Sequence, residues 1–131
     1  MPDKSVAARL ELKPGQRLWL INPPPNYREQ IGPLPAGARL LAADEAVAEG
    51  SAQRAEVVQA FFGSHRQLAA ELPAILAESA QAVLWICYPN AAGDSQLSRQ
   101  AVHNAIRLNG WRPVAQIRID QGWSAIRARP A

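Results

Sequence analysis

The chain carries 131 residues, 48 % hydrophobic and 19 % charged, with a formal net charge of +3. That size suits one domain with a real core, and no apolar run approaches the ~20 residues that span a bilayer. A lone cysteine, Cys87, excludes an internal disulfide framework, and residues 1–15 hold no apolar segment of the secretory kind, so the expectation is a cytoplasmic protein.

Residues 3–12 have the pattern of a short helix, capped by Asp3 and with Val6 and Leu10 on one face. Lys13-Pro14-Gly15-Gln16 then places Pro and Gly where a type II turn wants them. Residues 17–22 read as the first strand. Because Leu18, Trp19, Leu20 and Ile21 are consecutive, both faces are apolar, as in a central parallel strand. Residues 23–37 are a proline-rich loop with one helical turn near 27–31. A short strand over 39–43 follows, then a polar loop or frayed helix over 44–54. Residues 56–62, "EVVQAFF", are the next strand. Ser64 opens a helix, with Gln67 completing a capping box. Leu68, Leu72, Ile75 and Leu76 form its apolar stripe, which Pro73 interrupts, predicting a kink or a restart.

Residues 81–88, "QAVLWICY", are a second strand apolar on both faces. Asp94 or Ser95 caps the helix that follows. Its buried face is Leu97, Ala101, Val102, Ala105 and Ile106, and Asn109-Gly110 is its stop. The pattern then changes: Ala115, Ile117 and Ile119 alternate with Gln116, Arg118 and Asp120, the mark of a half-exposed antiparallel strand. Gln121-Gly122 turns the chain and residues 123–129 return as the partner strand. The order predicts a single α/β domain over 1–131, a three-layer Rossmann-like sandwich. Its sheet is mostly parallel, with a C-terminal antiparallel strand pair.

Twelve of the 14 basic residues are arginine. They are spread along the chain, with a mild concentration at Arg107, Arg112, Arg118, Arg127 and Arg129. Nucleic-acid binding calls for clustered positive charge, so these read as solvated surface charge, and neither a nucleic acid nor a membrane is an expected partner.

Four stretches in this order, "KPGQRLWLINPPPNY", "IGPLPAGARL", "LPAILAESAQAVLWICYPN" and "DQGWSAIRARP", carry a resemblance. The arrangement resembles a shortened methyltransferase-like Rossmann core, which also ends in an antiparallel strand pair. The sequence further resembles a family of small bacterial proteins with a domain of unknown function. What the resemblance implies is a fold; it transfers no catalytic residue. "NPPPNY" is similar to the Asn-Pro-Pro-aromatic motif of amino-group methyltransferases. Here, however, Pro25 and Asn26 intervene before Tyr27 and the position is early, so no role is assigned on that ground.

The loop after the first strand of a dinucleotide or S-adenosylmethionine site carries glycines that let the backbone approach the ligand. "NPPPNY" has none. Three prolines remove three N–H donors and fix φ near −65°, and Asn22, which precedes a proline, is expected to be extended. Asp44 and Glu45 do lie about 20 residues on, where a ribose-binding acid sits, but the missing glycines favour an ordinary turn role for them. Open parallel sheets bind ligands beyond the carboxyl ends of their strands. That edge is expected to gather Asn22, Tyr27 and Arg28, then Ser64, His65 and Arg66, then Tyr88, Asn90, Asp94 and Ser95. His65 and His103 are the only histidines, and no metal-ligand spacing appears. Cys87, inside a strand, reads as inert packing.

The expected function is a non-catalytic module, binding a small molecule or a protein partner, on a methyltransferase-like scaffold that has lost its cofactor loop. No cofactor is predicted. The alternative is an S-adenosylmethionine-dependent enzyme with an altered loop that holds the ribose through Asp44. A third expectation is self-association through the tail hairpin around Trp123, Arg127 and Arg129.

Overall fold

The first strand has no polar face, so it must be covered on both sides, and the structure does so. The computed structural model describes residues 10–25, 27–31, 34–42, 56–79, 82–89, 97–119 and 122–131. Its elements are β1 (Arg17–Ile21), α1 (Tyr27–Gln30), β2 (Arg39–Ala42), β3 (Val57–Phe61), α2 (His65–Glu78), β4 (Val83–Pro89), α3 (Arg99–Leu108), β5 (Trp111–Arg118) and β6 (Trp123–Pro130). The six strands form one sheet in the order β2-β1-β3-β4-β6-β5. β2, β1, β3 and β4 are parallel. β6 runs against both its neighbours, β4 and β5. This is the expected α/β class, with the antiparallel tail pair entering the sheet through β6 rather than β5.

Residues alternate between two cores. Trp19, Ile21, Val58, Ala60, Leu84 and Ile86 face one layer, where α2 and α3 pack through Leu68, Leu72, Ile75, Leu76, Val102 and Ile106. Leu18, Leu20, Val57, Phe61, Trp85 and Cys87 face the other, which Leu10, Leu12, Tyr27 and Ile31 cover. The Trp85 indole Nε1 donates to the Leu10 carbonyl at 3.0 Å, pinning the N-terminal segment to the middle of the sheet. Gln59 is the polar exception in β3 and is fully buried. The Tyr27 hydroxyl donates to its Oε1 at 2.9 Å, and its Nε2 donates to Cys87 Sγ at 3.5 Å, so the amide is satisfied.

Several expectations are corrected. Residues 10 and 11 form a turn rather than the end of a helix, with Glu11 at φ 66, outside any right-handed helix; residues 3–9 lie outside the described residues. The Lys13–Gln16 turn is as expected, with Gly15 at φ 77 and Gln16 N–H donating to the Lys13 carbonyl. α2 does not restart at Pro73, one of the two outcomes expected there, but continues through it as one element. A proline inside a helix costs about 3 kcal/mol, but four buried apolar side chains at roughly 1.5–3 kcal/mol each outweigh it. Ser64 caps α2 as expected, accepting from Gln67 N–H, yet the Gln67 side chain reaches back to Gly63 N–H instead of the cap's own. α3 starts later than predicted: its cap is Ser98, accepting from Ala101 N–H, and Asp94 and Ser95 lie outside the described residues. Leu97 therefore precedes the helix and packs with Val102 in one core, the arrangement of a hydrophobic staple.

β5 begins at Trp111, earlier than the alternating stretch, and carries one extra residue, Val114, between Pro113 and Ala115. Without it, Trp111 and Ile119 would share a face. With it, Trp111 joins the α2/α3 core and Ile119 the opposite one, while Ala115 remains exposed. Pro113 and the bulge also blunt an edge strand, which is where a sheet tolerates them.

Candidate functional site

Strand order locates the site. From β1 the chain crosses to β2 on one side; from β3 it crosses to β4 on the other. The crevice beyond the carboxyl ends of β1 and β3 is therefore the topological switch point, the place where open α/β sheets bind ligands.

The chain leaves β1 through Asn22 and three prolines. Asn22 is not extended, as its position before a proline suggested, but left-handed at φ 55. Asparagine tolerates that region because its short polar side chain bonds locally or nearby. Here Nδ2 donates to Glu71 Oε1 on α2 at 2.7 Å, a bond spanning from the exit of β1 to the helix after β3. Tyr27 N–H then donates to the Pro24 carbonyl and starts α1. The Tyr27 side chain, only 2 % exposed, turns inward to Gln59 and meets Phe61 edge-on, with ring centroids 4.8 Å apart. Of the three residues expected after β1, Asn22 lies at the exit of the strand bonded to Glu71, Tyr27 serves the core, and Arg28 lies on α1.

At the start of α2, Ser64 and His65 are both exposed. Ser64 Oγ already accepts from Gln67 N–H at 3.1 Å, and Gly63 N–H is taken by Gln67 Oε1 at 2.8 Å. Two backbone donors at this helix end are thus bound internally, which leaves it poorer as an anion cradle than its position suggests. Tyr88, at the end of β4, is 5 % exposed, and its hydroxyl accepts from Gln116 Nε2 at 3.1 Å, tying β4 to β5 rather than opening toward the switch point. Burial pushes its phenol above the usual value, against the opposing effects of the Arg99 charge and a bond to Ser124. Asp44 and Asn90 lie outside the described residues.

Burial pushes the Cys87 thiol well up, with the Gln59 bond opposing, which disfavours the reactive thiolate. His103, half-buried on α3, is held below its usual value by burial and by the charges of Arg99 and Arg107. Among the described residues no group of three His, Cys, Asp or Glu is placed to hold a metal. Sequence reasoning missed two residues that shape this region. Gln59 had a visible signal, one amide inside an apolar run. Glu71 had none, because nothing local to α2 says that Asn22 will meet it.

No protein-family model and no curated protein matches this sequence. Among solved structures, the chain superposes on an S-adenosylmethionine-dependent methyltransferase from Aquifex aeolicus with a TM-score of 0.56 at 12 % identity, covering 94 % of this chain and 86 % of that one. It superposes on a Streptococcus pneumoniae protein, assigned as a tRNA (m1A22) methyltransferase and bound to S-adenosyl-L-methionine, with a TM-score of 0.54 at 15 % identity over 95 % and 72 % of the two chains. A protein of the NADB-Rossmann superfamily from Streptococcus agalactiae gives 0.52 at 10 % identity, over 100 % and 69 %. Identities this low establish a shared methyltransferase-like Rossmann core and no activity.

Proposed function

We propose that the chain is a non-catalytic binding module of bacterial, cytoplasmic origin, built on a methyltransferase-like scaffold whose cofactor crevice has been closed. The observation that carries this reading is the Asn22–Glu71 bond at 2.7 Å, made by a left-handed residue that opens a run of three prolines. A nucleoside cofactor at a switch point needs glycines for close approach and free N–H groups for its polar atoms. Here prolines replace the donors, and a side-chain bond ties the exit of β1 to α2. The likeness to a family of small bacterial proteins with a domain of unknown function belongs to the same reading, as does binding of a small molecule or protein partner. Titration calorimetry of the full chain with S-adenosylmethionine and S-adenosylhomocysteine tests it. The expected result is no saturable heat; micromolar binding of either would overturn it.

A second reading is supported by the solved neighbours, two of which are methyltransferases. In it the chain is an S-adenosylmethionine-dependent enzyme with an altered loop, and Asp44 binds the ribose. It expects Asp44→Ala to abolish cofactor binding, and unchanged affinity in that variant removes its sequence support.

A further inference from the structure

The opposite edge of the sheet, at the amino ends of β3 and β4, opens into a cavity of about 440 Å³ between Gln16, Glu56, Val83, Arg127 and Arg129. That volume is within the ~300–1,000 Å³ usual for small-molecule sites. Two of the arginines that look scattered in the sequence, Arg127 and Arg129, line this cavity, and a third, Arg112, stands at its rim on the neighbouring strand. Arg112 of β5 stands directly opposite Arg129 of β6 in the antiparallel register. Trp111 and Ala128 point into the α2/α3 core, so Arg112 and Arg129 share the other face, and Arg127, two residues before Arg129, shares it too.

Like charges directly opposite each other on an antiparallel pair are destabilising, so an anion held between them would relieve the repulsion. The nearby acids do not supply it. Arg127 Nη1 binds Glu11 Oε2 at 2.6 Å, and Arg17 Nη2 binds Glu56 Oε2 at 3.1 Å. Arg17 N–H also donates to Glu56 Oε1 at 2.7 Å. Each carboxylate is thus matched by one guanidinium. Arg112 and Arg129, both exposed, make no ion pair among the described residues. Among the described residues, Arg129 in the cleft wall and Arg112 beside it are left without an acid.

We propose that this cleft binds a phosphate monoester of metabolite size, its phosphate held by Arg112 and Arg129 and its organic part in the cavity beside Gln16 and Val83. Two guanidinium forks on adjacent strands suit the fixed oxygens of a phosphate, and a charge near −2 at neutral pH balances theirs. The two guanidiniums sit together at one end of a concave cleft rather than drawn out along a face, which favours a small ligand over a nucleic-acid strand. This site is separate from the switch point, and its test is independent of the cofactor titrations above.

The test is calorimetric titration of the full chain with inorganic phosphate and with ribose 5-phosphate, for the wild type, Arg112→Gln and Arg129→Gln. Saturable binding of both probes is expected, tighter for ribose 5-phosphate, and weakened about tenfold or more in each variant. Without ligand, both variants should melt at or above the wild-type temperature, because a like-charge pair has been relieved. Absence of saturable binding, equal affinity for the two probes, or binding that ignores both substitutions would overturn the proposal. So would steeply salt-dependent binding of a single-stranded oligoribonucleotide with none of ribose 5-phosphate.

Discussion

The two edges of this sheet invert the usual division of labour. At the carboxyl edge, where the strand order creates the crevice, the polar groups bond one another: Asn22 to Glu71, Gln67 to Gly63 N–H, Ser64 to Gln67 N–H. At the amino edge, among the described residues, Arg112 and Arg129 make no ion pair, and Arg129 lines an open cavity. A topology says where a crevice must form. Only the balance of donors, acceptors and charge says whether that crevice has anything left to offer a ligand.

The greatest loss should come at Tyr27, which is buried against the sheet at the end of the proline loop. Tyr27→Ala should cost roughly 3–5 kcal/mol in urea unfolding; a loss below about 1 kcal/mol would mean the loop is not held by the core. Tyr27→Phe removes the hydroxyl that bonds Gln59 and should cost about 1–3 kcal/mol, because the amide of a fully buried residue loses a partner. Smaller still is Asn22. Asn22→Ala loses the bond to Glu71 and keeps a left-handed backbone, for about 1–2 kcal/mol. Asn22→Gly should be the milder of the two, since glycine adopts positive φ freely. Equal losses in those two variants would show that φ 55 carries no strain.

The smallest effect sharpens the amino edge. Partial burial works to raise the Glu56 carboxyl, but its bonds to Arg17 outweigh that and hold it below its ordinary value of 4.5. A depressed carboxylate contributes stability that is fully present above the unfolded value and is lost as the pH falls through the lower folded one. Both side chains are partly exposed, 29 % and 37 %, so the contribution should stay below about 1 kcal/mol. Glu56→Gln should flatten the acid limb of the urea midpoint against pH; an unchanged limb would remove Glu56 from the account.

The sequence made the sheet legible because its central strands have no polar face. Leu18 to Ile21 and Leu84 to Tyr88 admit only a position covered on both sides, and all of them are buried. Helix starts were less legible. Ser98, Ser95 and Asp94 are all cap-forming residue types, and the burial of Leu97 in the same core as Val102 accompanies the choice of Ser98. Asn22 misled because the rule for residues before proline is steric and local, whereas its conformation is supported by a partner 49 positions away. The same distance problem hid the arginines. Arg112 and Arg129 are 17 positions apart in the chain and face to face in the register, a proximity that no local window reveals. Glu11, 116 positions from Arg127, is the extreme case.

The additional residue in β5 has a consequence for how the molecule tolerates change. Val114 makes no core contact of its own and is 43 % exposed, yet it sets the parity of everything after it. Deleting it would leave every buried side chain present while sending Ile117 and Ile119 to the wrong layer and moving Gln116 and Arg118 to the opposite one. At this position an omission should therefore be far more damaging than any replacement, because what Val114 contributes is a count rather than a contact.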